Sequence, residues 1–544
     1  MSTSAYPVHA WIVYRPRAMG EAPIFHFNDE RESIVEEVAG RVVRAARDPL
    51  LLLNDAAYNE IKRLEAHPGK ERGEYMRFRE LARTVGRMSE ADRVSRLDEL
   101  ARRYARDVAG NFNPRVFSLS TKVLPRALTL LLAPKDFSLA EEGARLLQRH
   151  LITQGPVDTL RSLAQKGTLV FVPTHSSNLD SVVFGFALDR EGLPPVSYGA
   201  GKNLFANPFL SYFMQNLGAY KVDRRIKHEI YKEVLKTYSA VLIERGFHSL
   251  FFPGGTRGRS NVVEERLKLG LMGTGVEAFT HSLRRGHPQR VFFVPATINY
   301  LLTLEASTLV EDYLAETGRN RYIIEDDEST QLDRIFTLLR KLSRTTGSIV
   351  IRFGQPMDPF TNRVCADGRS IDHRGRTVDP ATYVTRDGEY VVDEARDAQY
   401  TRELGEAICR SYARETVAMP TSLVAAATFA KLREMYPGAD LFSLLRHREE
   451  VFVPSDELAR RVDDVTAKAR ALEDAGDLVL APGVRHATAS ELIDEAVRAW
   501  SGYHTRPVLT RTDGGYMIGE TNLVLYYQNR LAVSGLGYHP SRKG

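Results

Sequence analysis

Short apolar runs alternate with stretches of helical pattern between residues 155 and 360, and this alternation constrains the fold more than any other feature. The runs are TLVFVP (168–173), VSYGAG (196–201), HSLFFP (248–253), VFFVPAT (291–297) and SIVIRFG (348–354). Runs of this length that alternate with helices indicate an α/β layer with a mostly parallel sheet flanked by helices. Functional groups in such sheets gather at the carboxyl ends of the strands, so we expect a site there.

Helical patterns lie on both sides of this core. Residues 30–48 and 88–109 place apolar side chains three and four positions apart between charged ones, which predicts amphipathic helices. Further helices are predicted over 401–435, 455–475 and 488–502, and the Tyr-rich stretch at 523–531 is expected to pack back onto the body. The predicted organisation is an N-terminal helical region (1–150), a catalytic core (151–360), a polar insertion with a hairpin (361–400) and a C-terminal helical extension (401–544).

The charge of the chain is distributed unevenly. Hydrophobic residues make up 43%, charged residues 26% and the formal net charge is +5, which is typical of a globular protein and excludes a nucleic-acid-coating chain. Residues 221–290, however, hold 14 Lys and Arg against 7 Asp and Glu. This excess favours an anionic partner such as a phosphate, a coenzyme, an acidic carrier protein or an anionic lipid. A solvated helix face with internal ion pairs is the alternative.

Metal and membrane-spanning sites are not predicted. Cys365 and Cys409 are far apart and the histidines are scattered, so no metal or disulfide framework is expected. No secretory signal and no run of ~18 to 20 apolar residues is evident, which predicts a protein of the cytoplasm or of the membrane surface. Residues 117–132 (FSLSTKVLPRALTLLL) could lie on a membrane, with Lys122 and Arg126 reaching the headgroups, or could form a pair of core helices.

A histidine and an aspartate follow the first apolar run. If Ser177 or Asn178 opens a helix, His175 lies at the strand tip and Asp180 returns toward it after about one turn. A carboxylate beside an imidazole fixes its tautomer and stabilises the cation that forms when the other ring nitrogen takes a proton. The pair therefore predicts a general base with its orienting partner. For an isolated pair, a structural histidine beside a helix-terminal acid is the alternative.

Arginines and glycines follow two further strands. Gly218 and Asp223 precede the adjacent Arg224 and Arg225, and a glycine-rich loop that contains Gly255, Thr256 and Arg257 follows the third apolar run. Glycine allows close backbone approach, and the guanidinium fork gives a bidentate grip. Together they predict a site for a phosphate monoester.

These segments together resemble the glycerol-phosphate acyltransferase superfamily, whose members show four motif blocks in this order. The matching residues are Pro173, His175, Ser177 and Asp180; Gly218, Asp223 and Arg224; Phe252, Pro253, Gly255, Thr256 and Arg257; and Val294, Pro295, Ile298 and Tyr300. The length and the segment MPTSLVAAATFAKL (419–432) are similar to the larger glycerol-3-phosphate acyltransferases. Gly254 stands where the family usually has Glu, and Thr174 where many members have Asn.

The resemblance implies direct transfer of a fatty acyl group in phospholipid biosynthesis, at the cytoplasmic face of a membrane. His175 would deprotonate the acceptor hydroxyl, Asp180 would orient it, and Arg224, Gly255, Thr256 and Arg257 would hold the acceptor phosphate. The donor would be acyl-coenzyme A or acyl-carrier protein, with no other cofactor, and the acceptor glycerol 3-phosphate, or else lysophosphatidic acid or dihydroxyacetone phosphate. A thioesterase with Ser176 or Ser177 as nucleophile, and a non-catalytic membrane- or carrier-binding module, are the alternatives.

Overall fold

The computed structural model describes residues 22–65, 71–122, 150–202, 208–303, 305–317, 349–446, 451–501, 504 and 506–539. The N-terminal region within this part is helical, as predicted. Its helices are α1 (Phe27–Ala45), α2 (Pro49–Glu65), α3 (Arg72–Thr84), α4 (Glu90–Val108) and α5 (Pro114–Lys122), with short 3-10 turns at Pro23–His26 and Val85–Arg87. The predicted segments 30–48 and 88–109 correspond to α1 and α4.

A seven-stranded sheet forms the core. Its strands are β1 (Leu151–Gln154), β2 (Thr168–Pro173), β3 (Ser197–Gly201), β4 (Ala219–Val222), β5 (Ser249–Leu250), β6 (Val291–Tyr300) and β7 (Ile349–Phe353). The spatial order is β1-β7-β6-β2-β5-β3-β4. The five strands from β6 to β4 are parallel, whereas β7 runs antiparallel to β6 and carries β1 parallel to itself. The predicted mostly parallel sheet is confirmed.

Helices cover both faces of the sheet. They are α6 (Val157–Ala164), α7 (Asp180–Arg190), α8 (Pro208–Asn216), α9 (Glu229–Glu244), α10 (Gly273–Arg284) and α11 (Ala306–Thr317). One apolar core joins α9 to the N-terminal helices, and Phe27 of α1 packs edge-on against Phe247 at a ring distance of 5.5 Å. The N-terminal helices are therefore packed onto the core.

Part of the predicted basic excess is neutralised at this junction. Arg245 and Arg285 both donate to Glu37 of α1 at 2.6 Å, and the buried Arg41 donates to Glu244 at 2.6 Å. Internal ion pairing, one of the two interpretations of the 221–290 charge, thus accounts for two of its arginines, Arg245 and Arg285. The charge that remains at the sheet edge is described with the site below.

Small strands and helices follow the core. The segment 361–400 forms β8 (Arg363–Val364), β9 (Ser370–Ile371), β10 (Thr377–Val378), a 3-10 turn (Pro380–Val384) and the hairpin of β11 (Thr385–Arg386) with β12 (Glu389–Tyr390). Then come α12 (Glu394–Arg414), β13 (Val417–Ala418), α13 (Pro420–Met435), α14 (Leu441–Arg446), β14 (Val451–Pro454), α15 (Ser455–Ala475), β15 (Val479–Leu480), α16 (Ala489–Ser501), β16 (Leu509–Thr512), β17 (Gly515–Ile518) and α17 (Thr521–Asn529).

The C-terminal region has its own core around α13, which is buried along most of its length. The Tyr-rich stretch forms α17, and its Tyr526 and Tyr527 are buried, so it packs onto the body as expected. Within the described residues no helix combines the length and apolarity needed to cross a bilayer. Of the segment 117–132, only the part up to Lys122, in α5, lies within the described residues.

Candidate active site

The first motif block forms the turn between β2 and α7. Helix α7 begins at Asp180, not at Ser177 or Asn178, and the intervening residues form a compact loop at the carboxyl end of β2. His175 Nδ1 lies 2.7 Å from Asp180 Oδ2. The structure therefore brings together the predicted base and its orienting carboxylate.

The Asp180 carboxylate accepts hydrogen bonds from four groups. Oδ2 also accepts from the backbone amides of Ser176 at 2.7 Å and Ser177 at 2.9 Å, and Oδ1 accepts from the Tyr300 hydroxyl at 2.7 Å. The Asp180 side chain is 0% exposed and that of His175 is 16% exposed. Burial raises the pKa of Tyr300 well above its usual value, so its hydroxyl remains a proton donor to the carboxylate.

The His175 ring has two contacts that fix its orientation. Its face stacks on Phe252 with ring centroids 4.1 Å apart, and its Nδ1 faces Asp180. Since a carboxylate only accepts, Nδ1 carries the proton, and Nε2 presents a lone pair. The backbone is held as well, because the His175 amide donates to Glu264 Oε1 at 3.0 Å and its carbonyl accepts from the Gly258 amide at 2.7 Å.

Two arginines from different motif blocks converge at the same edge of the sheet. Arg224 is exposed, and its pKa is lowered by loss of surrounding water and by the positive charge of Arg257. Arg257 Nη1 lies 3.7 Å from Glu305 Oε1. In the described part of the chain Arg224 forms neither a hydrogen bond nor an ion pair. Two neighbouring guanidiniums form a concentration of positive charge that would attract an anion.

Glu305 links this pair to the histidine loop. Its buried carboxylate accepts from the Ser177 hydroxyl and from the Asn178 amide, both at 2.9 Å. Burial raises the pKa of Glu305, and the Asn178 amide and then the charge of Arg257 oppose this shift. Ser177 thus orients a carboxylate and has no hydrogen bond to His175.

The other residues of the second block have structural contacts. Asp223 is buried and is gripped by both Nε and Nη2 of Arg225, at 2.9 and 2.7 Å, with Lys202 3.4 Å away. Burial alone would raise the pKa of Asp223, but the Arg225 hydrogen bonds lower it to about 2. Gly218 has a φ of 86°, where a side chain would be strained, and allows the turn into β4.

The glycine-rich loop of the third block is a tight turn. Gly255 has a φ of 77°, and its amide donates to the Phe252 carbonyl at 3.0 Å, so this amide is used within the turn. A Cβ at Gly255 would collide with the Lys268 side chain, whose Nζ would be 2.6 Å away. Thr256 is exposed at the tip of the loop. Binding of phosphate by Gly255 and Thr256 stays a prediction.

The fourth block aligns β6 with the histidine loop. Pro295 lies opposite Val172 in the parallel ladder, and the Ile298 amide donates to the Thr174 hydroxyl at 3.1 Å. Thr174, which replaces the family asparagine, therefore ties the end of β2 to the strand that carries Tyr300.

The C-terminal segment contacts both β6 and the end of the glycine-rich loop. Arg530 is buried and donates to the Ile298 carbonyl at 3.0 Å. The Asn529 side chain donates to the Ser260 carbonyl at 2.8 Å, and the Asn261 side chain donates to the Tyr526 carbonyl at 3.0 Å. The end of the glycine-rich loop is thereby fastened to a segment more than 250 residues later.

Three of these groups were not predicted: Glu264, Glu305 and Arg530. Glu264 lies in a polar loop, and Arg530 directly follows α17. No periodic pattern distinguishes either residue in the sequence. Glu305 carries one weak signal, because it follows Tyr300 of the fourth block by five residues. In the ranges that the structure covers, no group of three or more His, Cys, Asp or Glu side chains could hold a metal ion.

Comparison with known proteins agrees with this geometry. Residues 156–299 match the family model described as Acyltransferase. The glycerol-3-phosphate acyltransferase of Pseudomonas paraeruginosa (strain DSM 24068 / PA7) is 26% identical over 288 residues, which are 52% of this chain and 31% of that protein. That of Ectopseudomonas mendocina (strain ymp) is 27% identical over 202 residues, 37% of this chain and 23% of that protein. The matches therefore span less than a third of these relatives.

A solved structure is also similar. The crystal structure of the 1-acyl-sn-glycerophosphate (LPA) acyltransferase from Thermotoga maritima matches 54% of this chain and 91% of its own, at 14% identity and a TM-score of 0.26. The family match covers the histidine loop, both arginines and most of β6. This part of the chain is similar to acyltransferase domains, in agreement with the resemblance that its motif blocks indicated.

The Tyr300–Asp180 hydrogen bond gives a stability prediction. Tyr300→Phe leaves Asp180 Oδ1 buried without that donor, and hydrogen bonds to charged groups contribute about 1.5 to 3 kcal/mol. We expect a lower free energy of unfolding by that amount, measured by denaturant titration. Tyr220→Phe is the matched control, because the Tyr220 hydroxyl is buried and has no hydrogen-bond partner among the described residues. Equal effects of the two substitutions would contradict the assigned role of Tyr300.

Proposed function

We propose that this protein is an O-acyltransferase that moves a fatty acyl group from acyl-coenzyme A or acyl-carrier protein to a hydroxyl of glycerol 3-phosphate, in phospholipid biosynthesis. One observation carries the proposal. An imidazole whose Nδ1 is held by a buried carboxylate lies on a loop that Glu305 links to the Arg224–Arg257 pair. A base on a loop that is linked to two neighbouring arginines suits a phosphorylated alcohol as acceptor.

The reaction needs no covalent enzyme intermediate. His175 Nε2 takes the proton of the acceptor hydroxyl as its oxygen attacks the thioester carbonyl carbon. The tetrahedral intermediate collapses with cleavage of the C–S bond, and the imidazolium returns the proton to the leaving thiolate. Asp180 stabilises the imidazolium between these two steps. Binding both substrates beside His175 also accelerates the reaction. The translational and rotational entropy needed to bring the reacting atoms together is lost on binding and not in the chemical step.

The thioesterase alternative is less well supported. A serine nucleophile needs a base within hydrogen-bond reach. The Ser177 hydroxyl instead donates to Glu305 at 2.9 Å, and neither Ser176 nor Ser177 forms a hydrogen bond to the His175 ring. Lysophosphatidic acid and dihydroxyacetone phosphate carry the same phosphate monoester group as glycerol 3-phosphate. The experiment that tests the proposed function therefore includes all three as acceptors.

An acceptor panel tests the proposed function. Purified protein is incubated with palmitoyl-coenzyme A or palmitoyl-carrier protein and with each phosphorylated alcohol in turn, and products are identified by mass. We expect acylated glycerol 3-phosphate, and a loss of about 10²- to 10⁴-fold in kcat for His175→Ala, the usual contribution of general base catalysis. Transfer to water alone would favour the thioesterase, and no transfer to any acceptor would favour the non-catalytic module.

The two arginines give a second kinetic prediction. Arg257→Ala removes a charge-assisted contact of about 1.5 to 3 kcal/mol. We expect KM for glycerol 3-phosphate to rise at least tenfold while donor KM changes little. Arg259→Ala is the matched control, because Arg259 lies two residues away and pairs with Glu316 at 2.8 Å. An equal loss with glycerol, which has no phosphate, or a defect in donor KM would assign Arg257 to the coenzyme or to the loop.

We also propose contact with a membrane surface through α5 and α8. The two helices are joined by the Asn113 amide, which donates to the Asn216 carbonyl at 2.8 Å. Each presents a large apolar side chain, Leu119 at 46% exposure and Tyr212 at 53%. Such side chains enter the headgroup region of a bilayer, and basic residues nearby strengthen the attraction to anionic lipid.

Vesicle sedimentation tests this contact. We expect the protein to sediment with phosphatidylglycerol-containing vesicles, less so at high salt, and the double substitution Leu119→Glu, Tyr212→Glu to reduce the bound fraction several-fold. Leu51→Glu is the control, since Leu51 is 65% exposed on α2, outside the proposed surface. Equal loss in the control, or binding indifferent to lipid charge and salt, would contradict the proposal.

A further inference from the structure

The glycine-rich loop holds the His175 peptide from both sides. The Gly258 amide donates to the His175 carbonyl at 2.7 Å, and Glu264 Oε1 accepts from the His175 amide at 3.0 Å. The orientation of the ring relative to Asp180 depends on this peptide, because the side chain pivots on its Cα. Glu264 therefore helps to hold the backbone of His175, whereas Asp180 holds its ring.

The Glu264 carboxylate lies next to Gly254, and the absence of a side chain at Gly254 leaves room for it beside the His175 amide. A Cβ at residue 254 would lie 3.2 Å from Glu264 Oε1 and 3.4 Å from its Cγ, which is closer than ordinary van der Waals contact. A side chain at 254 would therefore require the Glu264 carboxylate to shift by a few tenths of an ångström. The family motif has a glutamate at this position, and here the third block has none.

We propose that Glu264 is a positioning residue for His175, supplying from ten residues downstream the carboxylate that the third motif block lacks at Gly254. This inference rests on the proposed acyl transfer only for its kinetic consequence. The carboxylate orients the His175 peptide, and its negative charge favours the imidazolium that forms when Nε2 takes the acceptor proton.

The electrostatic surroundings fit such a role. Burial raises the pKa of Glu264, and the His175 amide and then the positive charge of Arg530 oppose this shift. Arg530 in turn is buried, and its own pKa is lowered by burial against the negative charge of Glu264. Their opposite charges therefore offset part of the cost of burying each of them.

A double-substitution cycle tests the proposal. Glu264→Ala should lower kcat about 10- to 100-fold with little change in either KM, since a displaced base costs rate and not binding. Glu264→Gln keeps an acceptor oxygen for the His175 amide and should retain more activity than Glu264→Ala. Gly254→Ala should lower kcat as well, because its methyl group pushes the Glu264 carboxylate away. In the Glu264→Ala background, Gly254→Ala should cost nothing further.

Controls separate this inference from the proposed function. Glu265→Gln changes the adjacent carboxylate, which faces His539 at 2.9 Å, and should leave kcat unchanged. The rate at which diethyl pyrocarbonate modifies His175, followed by mass spectrometry, reports on the ring without any acyl transfer. It should rise several-fold in Glu264→Ala and in Gly254→Ala, but not in Glu265→Gln.

The outcomes are distinct. Wild-type protein that transfers no acyl group would overturn the proposed function, and the modification rates would still decide the role of Glu264. Additive losses of kcat in the cycle, or a modification rate of His175 that Glu264→Ala does not alter, would overturn the positioning role. Since Gly254→Ala leaves Glu264 in the chain, the test holds even if Glu264→Ala fails to fold.

Discussion

The buried carboxylate of Asp180 is the interaction on which the rest of the site depends. A buried charge is costly unless donors surround it, and here four do so: the His175 ring, the amides of Ser176 and Ser177, and the Tyr300 hydroxyl. These donors come from the β2–α7 turn and from β6. The Asp180 carboxylate is therefore fully hydrogen-bonded beside His175 only when the turn has formed and β6 is in its observed register against β2.

Two further carboxylates extend this arrangement outward. Glu264 binds the His175 backbone, and Glu305 binds the loop that follows it while lying 3.7 Å from Arg257. Glu305 thus accepts hydrogen bonds from the loop and also faces a cation. His175, Glu305 and Arg257 are thus parts of one network, and a change at Arg257 would reach the histidine loop through Glu305.

The sequence predicted the sheet and the paired residues of the site because both follow local rules. Apolar runs mark the strands, and the five-residue spacing of His175 and Asp180 lets a helix start bring them together. The strand predicted at HSLFFP is shorter than the run. Only Ser249–Leu250 form β5, and the chain then turns into the glycine-rich loop. Glu264 and Arg530 could not be found, because their contacts depend on how loops and a distant helix pack.

The bonds from the C-terminal segment to Ser260 and Asn261 have a consequence for where the catalytic unit ends. Asn261 has a φ of 62°, a left-handed conformation that few residues besides glycine and asparagine adopt readily. Its side chain is held by the Tyr526 carbonyl. The four motif blocks lie before residue 301, yet a fragment trimmed to them would lose the contacts that shape the third block. The segment that carries the four motif blocks is therefore shorter than the segment whose contacts shape the third block, and a truncation placed at the motif boundaries would remove those contacts.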